Sequence, residues 1–316
     1  MSVVVRFYKP GTPDVLRVEE HAVGEPGPGQ VRLRHEAIGL NFVDTMFRDG
    51  TFPTPLPFVT GVEGAGLVEA IGPGVRTVKI GDRVVYFFAP GAYASHRLIA
   101  PDTLTRLPDD VPTAHAAALF TKGLTAWMGL FDLHPVKAGD VVLVQGASGG
   151  VGALLARWAR ALGATVIGTG SPNKLGRVAR DADHALASDD PELASNLRSI
   201  VPAGVNVVYE MIGNATFAAS AAAVCDGGTI ATIGAASGQP AIDHDALAAR
   251  GVRVTAGSTP RSLAGRMEAA TSALFEAYRQ GVFQPLDVAR YALTDVARAH
   301  HDIARRGIAG SAILMP

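Results

Sequence analysis

One cysteine, Cys225, occurs in 316 residues. A lone thiol excludes an intrachain disulfide and any zinc site built on a cysteine cluster, and it fits a reducing compartment. Aromatic residues make up only 6% of the chain and charged residues 18%, with a formal net charge of −1. Such a surface gives no electrostatic case for nucleic acid or an anionic membrane as partner. Long apolar runs are missing as well: an uncharged stretch such as Val141 to Ala156 is broken by glycine and too short to span a bilayer. No basic leader followed by an apolar core opens the chain, so no signal peptide is expected. What is plentiful is hydrophobic residues, at 48%, enough to fill sizeable cores. A soluble, cytoplasmic protein of about two domains is the expectation.

Proline divides the chain. Thirteen of the 20 prolines lie in the first 140 residues, which argues against regular helix-on-sheet layers there. That region offers short candidate strands instead: Val3 to Phe7, Val15 to Glu19, Val31 to Ile38, Gly66 to Ile71, Arg83 to Phe87 and His96 to Ile99. Turns such as Pro26-Gly-Pro-Gly29 and Gly72-Pro-Gly74 separate them, so an irregular, partly barrelled β-domain is predicted. From about Lys122 strands and helices alternate, with further strands at Val205 to Tyr209, Thr229 to Ile233 and Val252 to Ala256, and an Ala-rich helix from Ala215 to Val224. Alternation predicts a doubly wound parallel sheet, making the fold class α/β. Helices are expected over Leu263 to Gln280 and Thr294 to Arg306, and a closing strand, Ser311 to Met315, needs a sheet to join.

The most informative stretch is Val141 to Ala164. Four continuous apolar residues, Val141 to Val144, read as a buried parallel strand. A turn dense in glycine follows, Gln145 to Gly152, and then a helix with Leu154, Leu155, Trp158 and Leu162 on one face. Strand, tight turn and helix N-terminus together form a phosphate site, because unpaired N–H groups and the positive helix end attract a pyrophosphate and missing β-carbons let it approach. The fingerprint reads Ala147-x-Gly149-x-x-Gly152, with Ala147 in the first glycine slot; Ser148, Gly150 and Val151 complete the turn. A second strand, Thr165 to Thr169, completes a βαβ unit.

An acidic residue after that second strand would hydrogen-bond the ribose 2′-OH of NAD. Here the chain continues Gly170-Ser171, with Lys174 and Arg177 beyond. A hydroxyl and nearby cations suit a 2′-phosphate, which favours NADPH; the competing reading makes Lys174 and Arg177 a solvated helix face.

Five segments share one pattern: Gly39-Leu-Asn41-Phe-Val-Asp44, Gly61-Val-Glu63-Gly-Ala-Gly66, Gly81-Asp82-Arg83-Val84, Lys122-Gly-Leu-Thr125-Ala, and the Ala147–Gly152 turn. With the closing Gly310-Ser-Ala-Ile-Leu they resemble the zinc-free NADPH:quinone oxidoreductases of the medium-chain dehydrogenase/reductase superfamily. The resemblance implies a GroES-like, irregular β-barrel catalytic domain from both chain ends, residues 1–121 and 259–316, around a Rossmann NADPH-binding domain at 122–258. It implies hydride transfer from NADPH to a quinone or other α,β-unsaturated carbonyl, and a homodimer paired through the Val252 to Ala256 strand. Zinc-dependent relatives have a cysteine where this chain has Asn41 and a histidine where it has Val62, so no metal is expected. An enoyl-thioester reductase and a non-catalytic NADPH-binding protein are the alternatives.

Residue by residue, the resemblance assigns Asn41, Asp44, Lys122 and Thr125 to the catalytic site. Asn41 would donate its amide to the acceptor carbonyl and Asp44 would orient the site, although N-x-x-D is also a helix-capping signal. Lys122 and Thr125 would lie beside the nicotinamide, with a surface position at a helix start as the other reading of Lys122. Ser171 and Lys174 fall at the 2′-phosphate positions. Ser188 stands where relatives often have a tyrosine. Gly213 and Gly234 follow strands at the ligand-binding end of the sheet, with plain turns as the other reading. Arg306 matches a cofactor-contacting arginine, with Arg305 leaving its register open. Met46 and Phe52 replace two tyrosines of bacterial relatives and leave an apolar acceptor slot.

Overall fold

A computed structural model describes residues 2–316. The chain opens with eight strands: β1 (Ser2–Phe7), β2 (Arg17–His21), β3 (Val31–Leu40), β4 (Phe58–Val59), β5 (Glu63–Ile71), β6 (Arg83–Tyr86), β7 (His96–Ile99) and β8 (Leu104–Arg106). Helix α1 (Phe42–Asp49) lies between β3 and β4, and α2 (Thr113–Trp127) follows β8. Parallel strands come next: β9 (Val141–Val144), β10 (Thr165–Gly170), β11 (His184–Ala187), β12 (Val205–Glu210), β13 (Val224–Thr232) and β14 (Arg253–Ala256). Between them run α3 (Gly150–Ala161), α4 (Leu175–Asp181), α5 (Leu193–Ile200), α6 (Phe217–Ala223) and α7 (His244–Ala249). Helices α8 (Thr259–Ser262) and α9 (Met267–Arg279) lead to β15 (Val288–Ala292), α10 (Val296–Ala304) and β16 (Ser311–Met315).

Two units result. The first joins the chain up to Thr121 with Leu286–Pro316, and the second is Lys122–Pro285. The resemblance places the end of the central domain at 258, whereas the structure keeps 259–285 in the second unit. Packing gives the reason. A side chain at Gly123 would collide with Leu274 of α9, Phe283 stands edge-on to Trp158 of α3 at 5.4 Å, and Arg157 donates to the carbonyls of Phe283 and Pro285.

In the first unit β3 is the hub, pairing antiparallel with β5, β7 and β16. The closing strand thus joins the N-terminal sheet, and β15 pairs parallel to it at the edge. Their packing is apolar: Tyr291, Leu293, Val296 and Leu314 share a core with Phe7, Leu33, Ile38 and Tyr93. Two strand starts in this unit differ by more than one residue from those the sequence predicts. Pro13–Val15 forms a 3-10 turn, so β2 begins at Arg17. Strand β5 begins at Glu63, three residues before the expected Gly66, because its glycines are sites of close approach: a β-carbon on Gly66 would collide with the Arg34 carbonyl of β3.

The second unit is a six-stranded parallel sheet in the order β11-β10-β9-β12-β13-β14. This is the doubly wound order, whose direction reverses between β9 and β12 and opens a crevice at their C-terminal ends. Strand β9 is central, which explains its unbroken apolar run. Strand β13 starts at Val224, ahead of the expected Thr229, and runs through Asp226-Gly-Gly228; its pairing with β12 shifts register between Val205 and Val207. The expected helix over 263–280 starts only at Met267: residues 263–266 form a turn after α8, with Gly265 at a non-helical φ of +71°. No helix is long and apolar enough to cross a membrane among the described residues.

Candidate active site

The glycine turn sits between the buried end of β9 and the first residue of α3. Ala147 is fully buried and donates its N–H to the Thr169 carbonyl at 2.8 Å, which ties the turn to β10. Gly152 is required by contact, because a β-carbon there would collide with the Gly146 carbonyl. Gly149 differs: it is the N-cap of α3, and a β-carbon on it would meet only the Gly146 oxygen, at 3.4 Å. Its side-chain direction is therefore open space at a helix N-terminus, where the first N–H groups have no partner within the helix. That opening beside Ser148, Gly150 and Val151 fits a pyrophosphate.

Ser171 and Lys174 follow β10 directly. Ser171 is half-buried with its hydroxyl 2.8 Å from Asn173, and Lys174 is the N-cap residue of α4, with Arg177 in its first turn. No carboxylate lies between Thr165 and Lys174. A ribose 2′-phosphate fits this set better than a free 2′-OH. Gly213, at φ +89°, donates its N–H to Glu210 at 2.9 Å, and a β-carbon there would collide with the Gly238 carbonyl. Gly234 is exposed and donates to the Glu210 carbonyl at 3.2 Å. Lys122 and Thr125 share helix α2. Lys122 is buried at 6% exposure in the helix interior, not on the surface at its start; Thr125 faces the Thr259 hydroxyl at 3.2 Å.

In the first unit Asn41 is the N-cap of α1, and its N–H donates to Asp44 Oδ2 at 2.9 Å. The capping reading of N-x-x-D is therefore present in the structure. The Asn41 side chain completes the capping box toward the Asp44 main chain and also reaches outward: its Nδ2 donates to Glu63 Oε2 at 2.9 Å. Glu63 is fully buried, and its other oxygen accepts the Thr121 N–H at 2.6 Å. Asp44 is also fully buried and accepts the Tyr93 hydroxyl at 3.0 Å. Behind it, Tyr93 lies 2.9 Å from His300 Nε2, and Arg48 Nη1 lies 3.2 Å from His300 Nδ1.

Donor rules orient this chain. Guanidinium only donates, so His300 Nδ1 accepts, Nε2 carries the hydrogen and donates to Tyr93, and Tyr93 donates to Asp44. Burial, reinforced by Arg48, lowers the His300 pKa to about 3, so the imidazole is neutral as the chain requires. Burial and then Asp44 hold the Tyr93 phenol well above its ordinary range. His301 points elsewhere, toward Asp14 at 3.3 Å.

Met46 and Phe52 are brought together: the Phe52 N–H donates to the Met46 carbonyl at 2.9 Å. Phe52 is 41% exposed and caps a row of rings, Phe52, Phe47, Phe58 and Phe7, spaced 5.6–5.8 Å. Phe88 is also exposed, with a strained φ of +52° for an aromatic residue, and its ring lies 5.6 Å from that of Phe87. Arg306 lies exposed just past α10 at φ +55° and donates its N–H to Ile303 at 2.9 Å.

Glu63, Tyr93, His300 and Arg48 escape the sequence reading as site residues. Glu63 stands inside the Gly61–Gly66 motif and was the one available signal; the other three reach Asp44 only through the fold.

Comparison with known proteins agrees with this geometry. Residues 27–109 match the alcohol dehydrogenase GroES-like domain, and residues 150–276 match the zinc-binding dehydrogenase family. The quinone oxidoreductase of Pseudomonas aeruginosa is 36% identical over 329 residues, covering all of both chains. A 2-haloacrylate reductase from a Burkholderia species is 38% identical over 332 residues, covering 100% of this chain and 99% of the relative. The crystal structure of the Escherichia coli quinone oxidoreductase complexed with NADPH superposes with a TM-score of 0.92 at 34% identity, covering 99% of this chain and 100% of that one. The chain belongs to the quinone oxidoreductase family of the medium-chain dehydrogenase/reductase superfamily.

Zinc, which the second family's description names, does not fit the residues here. Asn41 is a hydrogen-bond donor to Glu63, Val62 is a buried apolar side chain, and of the Asn41, Val62 and Glu63 set only Glu63 is an ionisable ligand type. Among the described residues no group of three or more His, Cys, Asp or Glu is arranged to hold a metal.

Proposed function

We propose that this protein is a zinc-independent reductase that binds NADPH at the Gln145–Gly152 turn and acts on a quinone or another α,β-unsaturated carbonyl. The observation that carries the reading is the open helix N-terminus at Gly149 together with Ser171, Lys174 and Arg177 where a carboxylate would select NAD. NADPH bound there supplies the hydride. Ser171, Lys174 and Arg177 hold the 2′-phosphate, and Arg306 adds a further cofactor contact. Asn41 is assigned to the acceptor oxygen: an amide held against a buried carboxylate is a preorganised donor for developing negative charge. Asp44 fixes the Asn41 main chain, and Lys122 and Thr125 border the nicotinamide side.

Met46 and Phe52 give the acceptor an apolar surface without phenolic hydroxyls, which favours flat conjugated acceptors over polar ones. Strand β14 is the outer strand of its sheet, and we infer that a second copy pairs along it to form a homodimer, readable by sedimentation. A cytoplasmic location completes the reading and rests on the single cysteine.

Oxidation of NADPH with a panel of quinones and enones tests the assignment. Turnover of at least one class is expected, and Asn41→Ala lowers kcat by about 10²-fold, as the loss of an oxyanion donor does. Tight NADPH binding without turnover of any acceptor overturns the reductase reading, and unchanged turnover in Asn41→Ala removes Asn41 from the mechanism.

A further inference from the structure

A continuous buried hydrogen-bond chain runs under the crevice of the second unit. The Gly146 N–H, a donor only, points at Thr169 Oγ1 at 3.2 Å. Thr169 passes its hydroxyl hydrogen to Gln145 Oε1 at 2.6 Å. Gln145 Nε2 donates to Ser220 Oγ at 3.0 Å, and Ser220 donates to Glu210 Oε2 at 2.6 Å. Glu210 Oε1 accepts the N–H groups of Ile212 and Gly213 at 2.8 and 2.9 Å and the Thr216 hydroxyl at 2.8 Å. Gln145, Thr169, Glu210 and Ser220 are all 0% exposed.

The ends fix the direction. A main-chain N–H cannot accept, and the Glu210 carboxylate receives four donors, so every hydroxyl between them has one orientation. Reversing the Gln145 amide would set its oxygen against Ser220, whose only hydrogen is committed to Glu210. The two ends are also the two loops that flank the sheet's reversal point: the glycine turn after β9 and the turn after β12. The loops touch directly as well, since a β-carbon on Gly146 would meet Ile212 Cδ1 at 2.9 Å. Apolar side chains fill such a core with less desolvation cost, so stability alone gives no reason for a buried carboxylate here.

We infer that Glu210, acting through Ser220, Gln145 and Thr169, is a positioning residue that locks the 145–149 and 211–213 loops into one cofactor-binding surface. This rests on the reading that NADPH binds at the glycine turn. The chain does not touch the cofactor; it holds the main-chain groups that do. Its members stand out in sequence only as polar residues at the ends of apolar strands and as Ser220 within an alanine run.

NADPH affinity, read from the fluorescence of the reduced nicotinamide, tests the chain with Thr169→Val, Ser220→Ala and their combination. Each single substitution cuts the same chain and weakens binding by ~3- to 10-fold, the net worth of one hydrogen bond. The double variant binds no worse than the weaker single, because the chain is already open. The loss falls on NADPH affinity and is several-fold smaller in kcat, and Thr169→Ser, which keeps the hydroxyl, binds as the wild type does. Wild-type affinity in both single variants, or losses that multiply in the double, overturns the positioning role. A variant that melts earlier but binds NADPH normally assigns the chain to stability alone and overturns it too. Failure of the wild-type protein to bind NADPH sinks the cofactor reading instead, a separate result.

Discussion

In the first unit a buried polar chain runs from Arg48 through His300 and Tyr93 to Asp44; in the second it runs from the Gly146 N–H through Thr169, Gln145 and Ser220 to Glu210. Both point head to tail at a carboxylate, and the side chains that link their ends are fully buried. They differ in what they join. The first reaches across the chain, with residues 252 and 207 positions apart in contact, and its middle link is a titratable imidazole. The second joins loops at the ends of neighbouring strands and begins at the main chain. One chain props up a side-chain site, and the other sets the shape of a main-chain site. Sensitivity to acid and to truncation should therefore differ between them.

The largest expected effect lies in the main-chain site. Gly152→Val drives a branched side chain into the Gly146 carbonyl, where backbone rather than a flexible side chain is in the way. We expect NADPH binding to be lost and the second unit to be destabilised by more than about 3 kcal/mol, read by titration and thermal melting. Normal NADPH affinity in this variant would break the comparison at its root, because the turn would then tolerate side chains like any loop.

Acid should act on the first unit. His300 and His35 are both buried, and burial lowers each to about pKa 3, from an unfolded value near 6.5. The unfolded chain binds these protons first, so stability is full above about pH 6.5 and is lost as pH falls toward 3. Between pH 7 and 4.5 the loss is about 2–3 kcal/mol for each histidine, and His300→Gln flattens the profile by one such share. Denaturant titrations across this range test it, and an unchanged slope in His300→Gln shows that His300 does not carry the effect. Tyr93→Phe is milder: the ring stays, but the His300 donor and the Asp44 acceptor lose their shared partner. A cost of about 1–3 kcal/mol in the first unit's melting is expected, and a variant as stable as the wild type would show that the Tyr93 hydroxyl is dispensable.

The same contrast explains what was legible in sequence. The glycine turn could be read because its chemistry is local: strand, turn and helix start occupy one continuous stretch, and contact with Gly146 alone demands Gly152. Asn41 and Asp44 were legible only as a motif. Their partners arrive through the fold, Glu63 by the register of β3 and β5 from 22 residues away and Tyr93 from a loop 49 away, and no local pattern encodes that. Strand β11, His184-Ala-Leu-Ala187, has weak β-propensity and is a strand because β10 lies beside it. Strand β15 alternates around an exposed Arg290 and exists because β16 pairs with it. The early start of β13, at Val224 rather than Thr229, is set the same way: it pairs with β12 through a register shift that no local pattern encodes.

The smallest effect sharpens the comparison at the acceptor side. Phe52 is exposed at the end of its row of rings, held beside Met46 by one main-chain hydrogen bond. Phe52→Tyr adds a hydroxyl at an exposed position, so its effect on stability should stay within about 0.5 kcal/mol. If an acceptor carbonyl comes within reach of that ring, the new hydroxyl gives one hydrogen bond and lowers the acceptor KM by about 2- to 10-fold, with NADPH affinity unchanged. Identical KM values for every quinone and enone tested would remove Phe52 from the acceptor surface. The slot would then be defined by Met46 and by whatever faces it, and a hydroxyl at position 52 would have no bearing on which acceptor is taken.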